Sequence, residues 1–387
     1  MANLYFFNFK AHNGDLHYYR EFIKDIINKL NYDEYYLLQN TSEKLLSDIN
    51  KLKFDKLNDN CFINETIYNI NNDIYINIHG SQLEDRQILN RNEHLSIFKG
   101  ALNLDYYHYV FSIIYTKLNI LISGIESYIP DIDYSKFEIE NINTFINSNQ
   151  RHKILICNGE CHTFQSGKID FLSIIDKLSE NNKDLDFILT HKINLIKENI
   201  LFTDDIINAK FPDLNEISYL STFCDIIIGR ASGPYCFTIT KENIKNTNKT
   251  YIFITSSYLD GIYTDFNACD KLWINNFDDE LIYNLIDNKI KKKISILKSK
   301  NSIKNIHITK SENRFDFSAP DDAENIRINS YVDNNGDGNF TIAYGTFFNF
   351  IAKDANYFII ISRFFTEKTK FKIQFLYFQE LIYETIL

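Results

Sequence analysis

Glycine and proline are scarce in this chain, 12 and 4 residues of 387, and no stretch of about 18 consecutive apolar residues occurs. With 44% hydrophobic and 24% charged residues, the composition excludes a disordered or low-complexity chain. The lack of a long apolar run predicts no transmembrane segment. The six cysteines, Cys61, Cys157, Cys161, Cys224, Cys236 and Cys269, form no C-x-x-C pair. Cys157 and Cys161 are four apart, without a second Cys/His pair at zinc spacing, so reduced thiols and no metal are expected. Positive charge is in deficit too. The net charge of −10 argues against non-specific binding to nucleic acid or to an anionic membrane. The early apolar run LYFFNF is too short for a secretory signal and lacks a basic flank and a cleavage site, which predicts a cytoplasmic chain.

What is abundant is aromatic: 25 tyrosines and 32 phenylalanines. Asn, Ile and Lys are also frequent, a bias that fits an AT-rich genome. A chain of this length is expected to hold two or three domains.

The pattern along the chain is α/β. LYFFNF (4–9) reads as a buried strand and REFIKDIINKL (20–30) as an amphipathic helix with Phe22, Ile23, Ile26, Ile27 and Leu30 on one face. EYYLL (34–38) and DIYINIHGS (73–81) read as strands, and 93–123 as one long helix or two abutting ones. A second series of apolar runs and helices starts at HKILICN (152–158) and continues through DFILT, NILFT, CDIIIG, TYIFIT and KLWIN. Such runs predict parallel sheets covered on both faces. The expectation is therefore two tandem Rossmann-like domains, 1–150 and 151–298, joined near 128–151. After about residue 300 the pattern alternates around turn residues, and 299–387 is expected to be a small antiparallel β module.

Ligands of such sheets bind beyond the carboxyl ends of the strands, and four strand ends carry suitable chemistry. In NGDLH (13–17), a glycine permits a sharp turn and Asp15 falls at the start of a helix, where an ionised carboxylate is favoured. Asp15 is either a helix cap or a general base for a hydroxyl. NGECHTFQSGK (158–168) offers Thr163 and Lys168 in a polar loop suited to phosphate, without the spacing of a Walker P-loop. GRASGPY (229–235) offers Ser232 and Gly233 for a diphosphate, with Arg230 as a fixed forked cation. His79 ends the INIHGS strand; it and His17 are the candidate acceptor contacts. DNNGDG (333–338) begins like a calcium loop, but Tyr344 stands at the twelfth position, so a hairpin turn is expected. The D-x-D of PDIDY (130–134) falls in the expected linker.

NGDLHYYREFIKDI resembles the strand–GD–helix opening of the heptosyltransferase-like GT-B glycosyltransferases, those of glycosyltransferase family 9. DLNEISYLSTFCDIIIGRASGP (213–234) resembles their donor-site signature. The resemblance implies a metal-independent enzyme without cofactor, with Asp15 as catalytic base. It implies that Thr163, Lys168, Ser232 and Gly233 hold the diphosphate of a nucleotide-sugar donor, and that Glu216 contacts the ribose. The acceptor would be a glycan or glycoconjugate, with cell-envelope glycans reached from the inner membrane face. Ala231 and Arg230 stand where the family carries an Asp before Ser-Gly, and Tyr235, Cys236 and Phe237 where it carries a His. Two other readings stay open from sequence: a nucleotide-sugar epimerase or hydrolase, and a non-catalytic glycan- or nucleotide-binding protein.

Overall fold

The computed structural model describes residues 2–7, 13–39, 43–57, 65–79, 102–159, 169–230, 232–254, 269–274 and 278–303, followed by strands between 308 and 386. Two compact units result, Met1–Asp287 and Asn288–Leu387.

The first unit holds two sheets. One is built from β1 (Asn3–Phe7), β2 (Glu34–Leu38), β3 (Leu52–Asp55), β4 (Ile67–Ile70) and β5 (Asp73–Asn77) in the order β3-β2-β1-β5-β4. All pairings are parallel except the edge hairpin β4–β5. The other comprises β6 (Lys153–Cys157), β7 (Asp186–Leu189), β8 (Ile200–Phe202), β9 (Ile226–Gly229), β10 (Thr250–Ile254) and β11 (Asp270–Ile274). It is parallel throughout, in the order β11-β10-β9-β6-β7-β8. Every residue of β6, β7, β9 and β10 is buried, as strands covered on both faces require.

The helices are α1 (Asn13–Lys29), α2 (Leu102–Lys117), α3 (Glu140–Ser148), α4 (Phe171–Asn181), α5 (Thr203–Ile206), α6 (Leu214–Thr222), α7 (Gly233–Thr238), α8 (Lys241–Lys245) and α9 (Asp279–Ile303). α1 buries Phe22, Ile23, Ile26 and Ile27, the face read from its periodicity. Phe22 stacks on Phe111 of α2 and on Tyr128, at 4.2 and 4.0 Å between ring centroids. The helical pattern expected to Ser123 stops at Lys117. Asn119, at φ 54°, turns the chain, with the Ile120 N–H donating back to Tyr115 O at 3.0 Å. Its stretch 93–101 lies outside the described residues.

A single buried cluster joins the two sheets, running from Leu4, Phe6 and Leu37 through Leu16 and Tyr19 to Leu214, Ile227, Phe237 and Phe253. Polar links reinforce it. The Arg20 guanidinium, fully buried, pairs with Asp48 and donates to Leu45 O at 2.6 Å and to Asn215 Oδ1 at 3.0 Å. Asp133 of the expected D-x-D accepts from Ser135 N and Oγ, capping a single turn.

In the second unit, the strands Ile308–Ser311, Arg314–Ser318 and Asn356–Ile360 form an antiparallel sheet of three. Ile326–Asp333, Thr341–Asn349, Lys370–Tyr377 and Glu380–Ile386 form one of four. The turn at DNNGDG lies outside the described residues. No helix among the described residues is long and apolar enough to cross a membrane.

Candidate functional site

The winding of each sheet selects one crevice. The chain leaves β1 toward β2 and β3 on one side and returns to β5 on the other, so the order reverses between β1 and β5. In the second sheet it reverses between β6 and β9. Such switch points, at the carboxyl ends of the strands, leave room for a ligand because the two following loops diverge. Asp15 follows β1 and His79 follows β5. The 158–168 loop follows β6, and Arg230, Ser232 and Gly233 follow β9. In chain order, the four candidate segments thus follow the four strands that flank the two reversal points.

The two crevices are brought together by α1 and α7. Gly14 lies so close to α7 that a Cβ there would stand 3.3 Å from Cys236 Sγ. Asp15 is its neighbour on α1, and Ser232 is one turn before Cys236, whose N–H donates to Ser232 O at 2.9 Å. His17, fully buried, fills the same contact: its ring stacks on Phe237 at 4.5 Å and its Nε2 lies 2.9 Å from Ile239 O. Burial, with Arg20 nearby, lowers the His17 pKa to about 3. The imidazole is therefore neutral, with Nε2–H donating to the carbonyl.

Asp15 is the third residue of α1, inside the first turn and half-buried, and its Oδ1 accepts from the Tyr107 hydroxyl at 2.5 Å. His79 sits two residues past β5, where the Ile78 N–H donates to Phe7 O at 3.0 Å and ties the two strand ends together. The His79 Nδ1 is 2.9 Å from the Tyr19 hydroxyl.

On the second sheet, Arg230 bridges both loops of its crevice. Its Nε and Nη2 donate to Gly159 O at 3.1 and 2.8 Å, and its guanidinium carbon lies 5.5 Å from the Phe171 ring centroid. Ser232 is 8% exposed and its hydroxyl has no hydrogen-bond partner among the described residues, while Gly233 opens α7. Gly229 is a close-approach glycine. A Cβ there would meet the Tyr235 ring at 2.5 Å and Cys157 Cβ at 2.9 Å. Burial raises the Cys157 thiol and the Tyr235 phenol well above their usual ranges, so both are un-ionised packing groups. Glu216, in the first turn of α6, is buried with Lys44 Nζ at 2.6 Å from its Oε1. Thr163 and Lys168 lie outside the described residues. No group of His, Cys, Asp and Glu able to hold a metal occurs among the described residues.

Tyr107, Arg20, Asn215 and Lys44 were not singled out by sequence. Arg20 carried one usable signal: it lies three residues before Ile23 and seven before Ile27, on the apolar face of an amphipathic helix.

No family model and no curated protein matches the chain. Among solved structures, it is similar to a glycosyl transferase family 9 protein from Veillonella parvula (12% identity, 73% of this chain and 88% of that one, TM-score 0.39). It is also similar to the ADP-heptose lipopolysaccharide heptosyltransferase II of E. coli (11%, 74% and 98%, 0.39). A third is the glycosyltransferase SnogD of Streptomyces nogalater (10%, 76% and 95%, 0.30). Likeness this distant says nothing about substrate.

Proposed function

We propose that the chain is a GT-B-type glycosyltransferase, moving a sugar from a nucleotide-sugar donor to a hydroxyl of a glycan or glycoconjugate acceptor. The observation that carries this reading is the pairing of two switch-point crevices across the Gly14–Cys236 contact. One crevice carries a carboxylate, and the other carries a fixed guanidinium with small and hydroxylic residues. That division suits a reaction in which one substrate loses a proton and the other releases a diphosphate.

In this mechanism Asp15 takes the proton of the acceptor hydroxyl as its oxygen attacks the anomeric carbon. The bond from that carbon to the diphosphate oxygen breaks, and the electron pair leaves with the nucleoside diphosphate. Arg230, Ser232 and Gly233, with Lys168 and Thr163 from the segment that follows β6 in the chain, receive the developing charge. Glu216 takes the donor ribose in exchange for Lys44. His79 contacts the acceptor, and His17 holds the α1–α7 contact on which the site depends. The reading needs no metal and no cofactor beyond the two substrates. It places the enzyme in the cytoplasm, at the inner membrane face if the acceptor is a cell-envelope glycan.

Thermal-shift titration with GDP-, UDP-, ADP-, CMP- and dTDP-sugars tests the donor site, because a ligand of the native state raises stability by RT ln(1 + [L]/Kd). Turnover by the stabilising donor, abolished in Asp15→Asn while the thermal shift persists, is the expected result. Free sugar or an epimer formed equally without acceptor would instead identify a hydrolase or epimerase. A thermal shift without any turnover would identify a binding protein.

A further inference from the structure

The transfer reading assigns Asp15 the proton but does not say what aims its carboxylate. Asp15 and Tyr19 are four residues apart on α1 and so lie one above the other on the same face. Tyr107 of α2 packs onto that face. Its ring is edge-on to Tyr19 at 4.7 Å between centroids and stacked on Tyr18 at 5.9 Å. Tyr107 is 4% exposed and Tyr19 fully buried, so both rings are fixed by packing. Their hydroxyls reach the two candidate groups of this crevice, Tyr107 to Asp15 Oδ1 at 2.5 Å and Tyr19 to His79 Nδ1 at 2.9 Å.

We propose that Tyr107 is a positioning residue for Asp15, its hydroxyl clamping Oδ1 so that Oδ2 is presented to the acceptor hydroxyl. The inference rests on the transfer reading. A carboxylate in the first turn of a helix can swing between rotamers and turn its oxygens over. A phenol donating to one oxygen from a packed ring fixes both degrees of freedom. Among the described residues Oδ2 accepts no hydrogen bond, and Oδ1 is the oxygen the phenol holds. The clamp acts on the orientation of the base and leaves the donor crevice on the second sheet untouched. Its loss therefore lowers kcat and not donor affinity.

A matched control lies on the same helix: Tyr115 is 1% exposed and donates to the Asp25 carboxylate of α1 at 2.6 Å. Tyr107→Phe and Tyr115→Phe remove the same bond type from the same helix pair. The experiment measures nucleotide release from the donor that stabilises the wild type, with a panel of pyranoside acceptors. Tyr107→Phe is expected to lower kcat by about 10- to 100-fold, the scale of a misaligned reacting group, with donor KM unchanged. Tyr115→Phe is expected to keep wild-type kcat. In urea unfolding, Tyr107→Phe and Asp15→Ala are expected to be non-additive, and Tyr115→Phe and Asp15→Ala additive. Equal kcat in the two Phe variants, or additivity of Tyr107→Phe with Asp15→Ala, would overturn the positioning role while leaving the transfer reading intact. A wild type that releases no nucleotide from any donor overturns both.

Discussion

Arg20 on α1 and Asn215 on α6 are 195 residues apart in the chain, and a buried hydrogen bond of 3.0 Å joins them. The same guanidinium pairs with Asp48, which also accepts from Asp133 N at 3.3 Å. One cation thus ties the first sheet's helix to the second sheet's helix through groups that water does not reach. Two doubly wound sheets that share a core and a buried hydrogen bond from one guanidinium should unfold together.

Arg20→Met tests that coupling. Removing one partner leaves the Asp48 carboxylate buried without its guanidinium, a change that costs about 3–5 kcal/mol. The chain's single tryptophan, Trp273, sits on β11 of the second sheet, whereas Arg20 belongs to the first. Its fluorescence therefore reports the far sheet. The urea midpoint read at Trp273 is expected to fall in step with the far-ultraviolet circular dichroism. A Trp273 transition that stays at the wild-type midpoint would mean that the sheets unfold separately.

His17 makes the α1–α7 contact sensitive to acid. Its pKa is about 6.5 unfolded and about 3 folded, because burial disfavours the charged ring. Between these values the unfolded chain binds more protons, so stability rises with pH and is lost as pH falls from 6.5 toward 3. The slope is at most about 1.4 kcal/mol per pH unit for one group. His17→Phe keeps the stack on Phe237 but loses the bond to Ile239 O. That variant is expected to be less stable than the wild type at pH 7 by about 1 kcal/mol and to overtake it at about pH 5.7. Parallel stability–pH curves would show that His17 takes up its proton equally in the folded and unfolded chain, and would refute the burial account.

Gly229 ends the central strand of the second sheet, just before Arg230. A methyl there would stand 2.5 Å from the Tyr235 ring and 2.9 Å from Cys157 Cβ, the residue beside it on β6. Neither neighbour can retreat, since both are fully enclosed. Gly229→Ala is expected to cost about 1–3 kcal/mol by overpacking. It should also weaken nucleotide binding, because Arg230 and Ser232 would move with the strand end. A calorimetric scan and a nucleotide thermal shift together check both effects, and an unchanged melting temperature would refute the packing account.

What sequence made legible follows from where its signals are local. The strand–turn–helix units at NGDLH and GRASGP were visible because an apolar run, a glycine and a helical period occur within a dozen residues. β3 and β4, four residues each, lacked enough length to show a period. Buried charges were hidden for a different reason. Lys249 reads as an exposed lysine before a strand, yet its ammonium donates to the carbonyls of Ser221, Thr222 and Cys224 at 2.6–3.0 Å, where it closes the end of α6. Burial lowers its pKa to about 8. Such a role depends on carbonyls 25 to 28 residues away, which no local pattern encodes. Tyr107 was masked by composition: in a chain with 25 tyrosines, one more on a helix carries no signal.

Arg230 offers the sharpest test of the donor crevice, because its present contacts limit what a substitute can do. Two of its nitrogens, Nε and Nη2, are committed to the Gly159 carbonyl, and its plane lies near the Phe171 ring. A guanidinium can hold the carbonyl along one edge and still offer Nη1 to a phosphate along the other. An ammonium is a point charge and cannot keep that division of labour. Arg230→Ala is expected to raise the donor KM by about 10- to 100-fold, the scale of a lost charge-assisted bond of 1.5–3 kcal/mol. Arg230→Lys is expected to recover little of it, since a lysine that reaches the diphosphate must release Gly159 and with it the facing loop. The nucleoside diphosphate Kd, measured by thermal titration on both variants, distinguishes the cases. If lysine restores binding fully, the site needs only a positive charge and the fork has no role. If alanine leaves binding unchanged, the arginine is a strut between two loops and the diphosphate is held elsewhere.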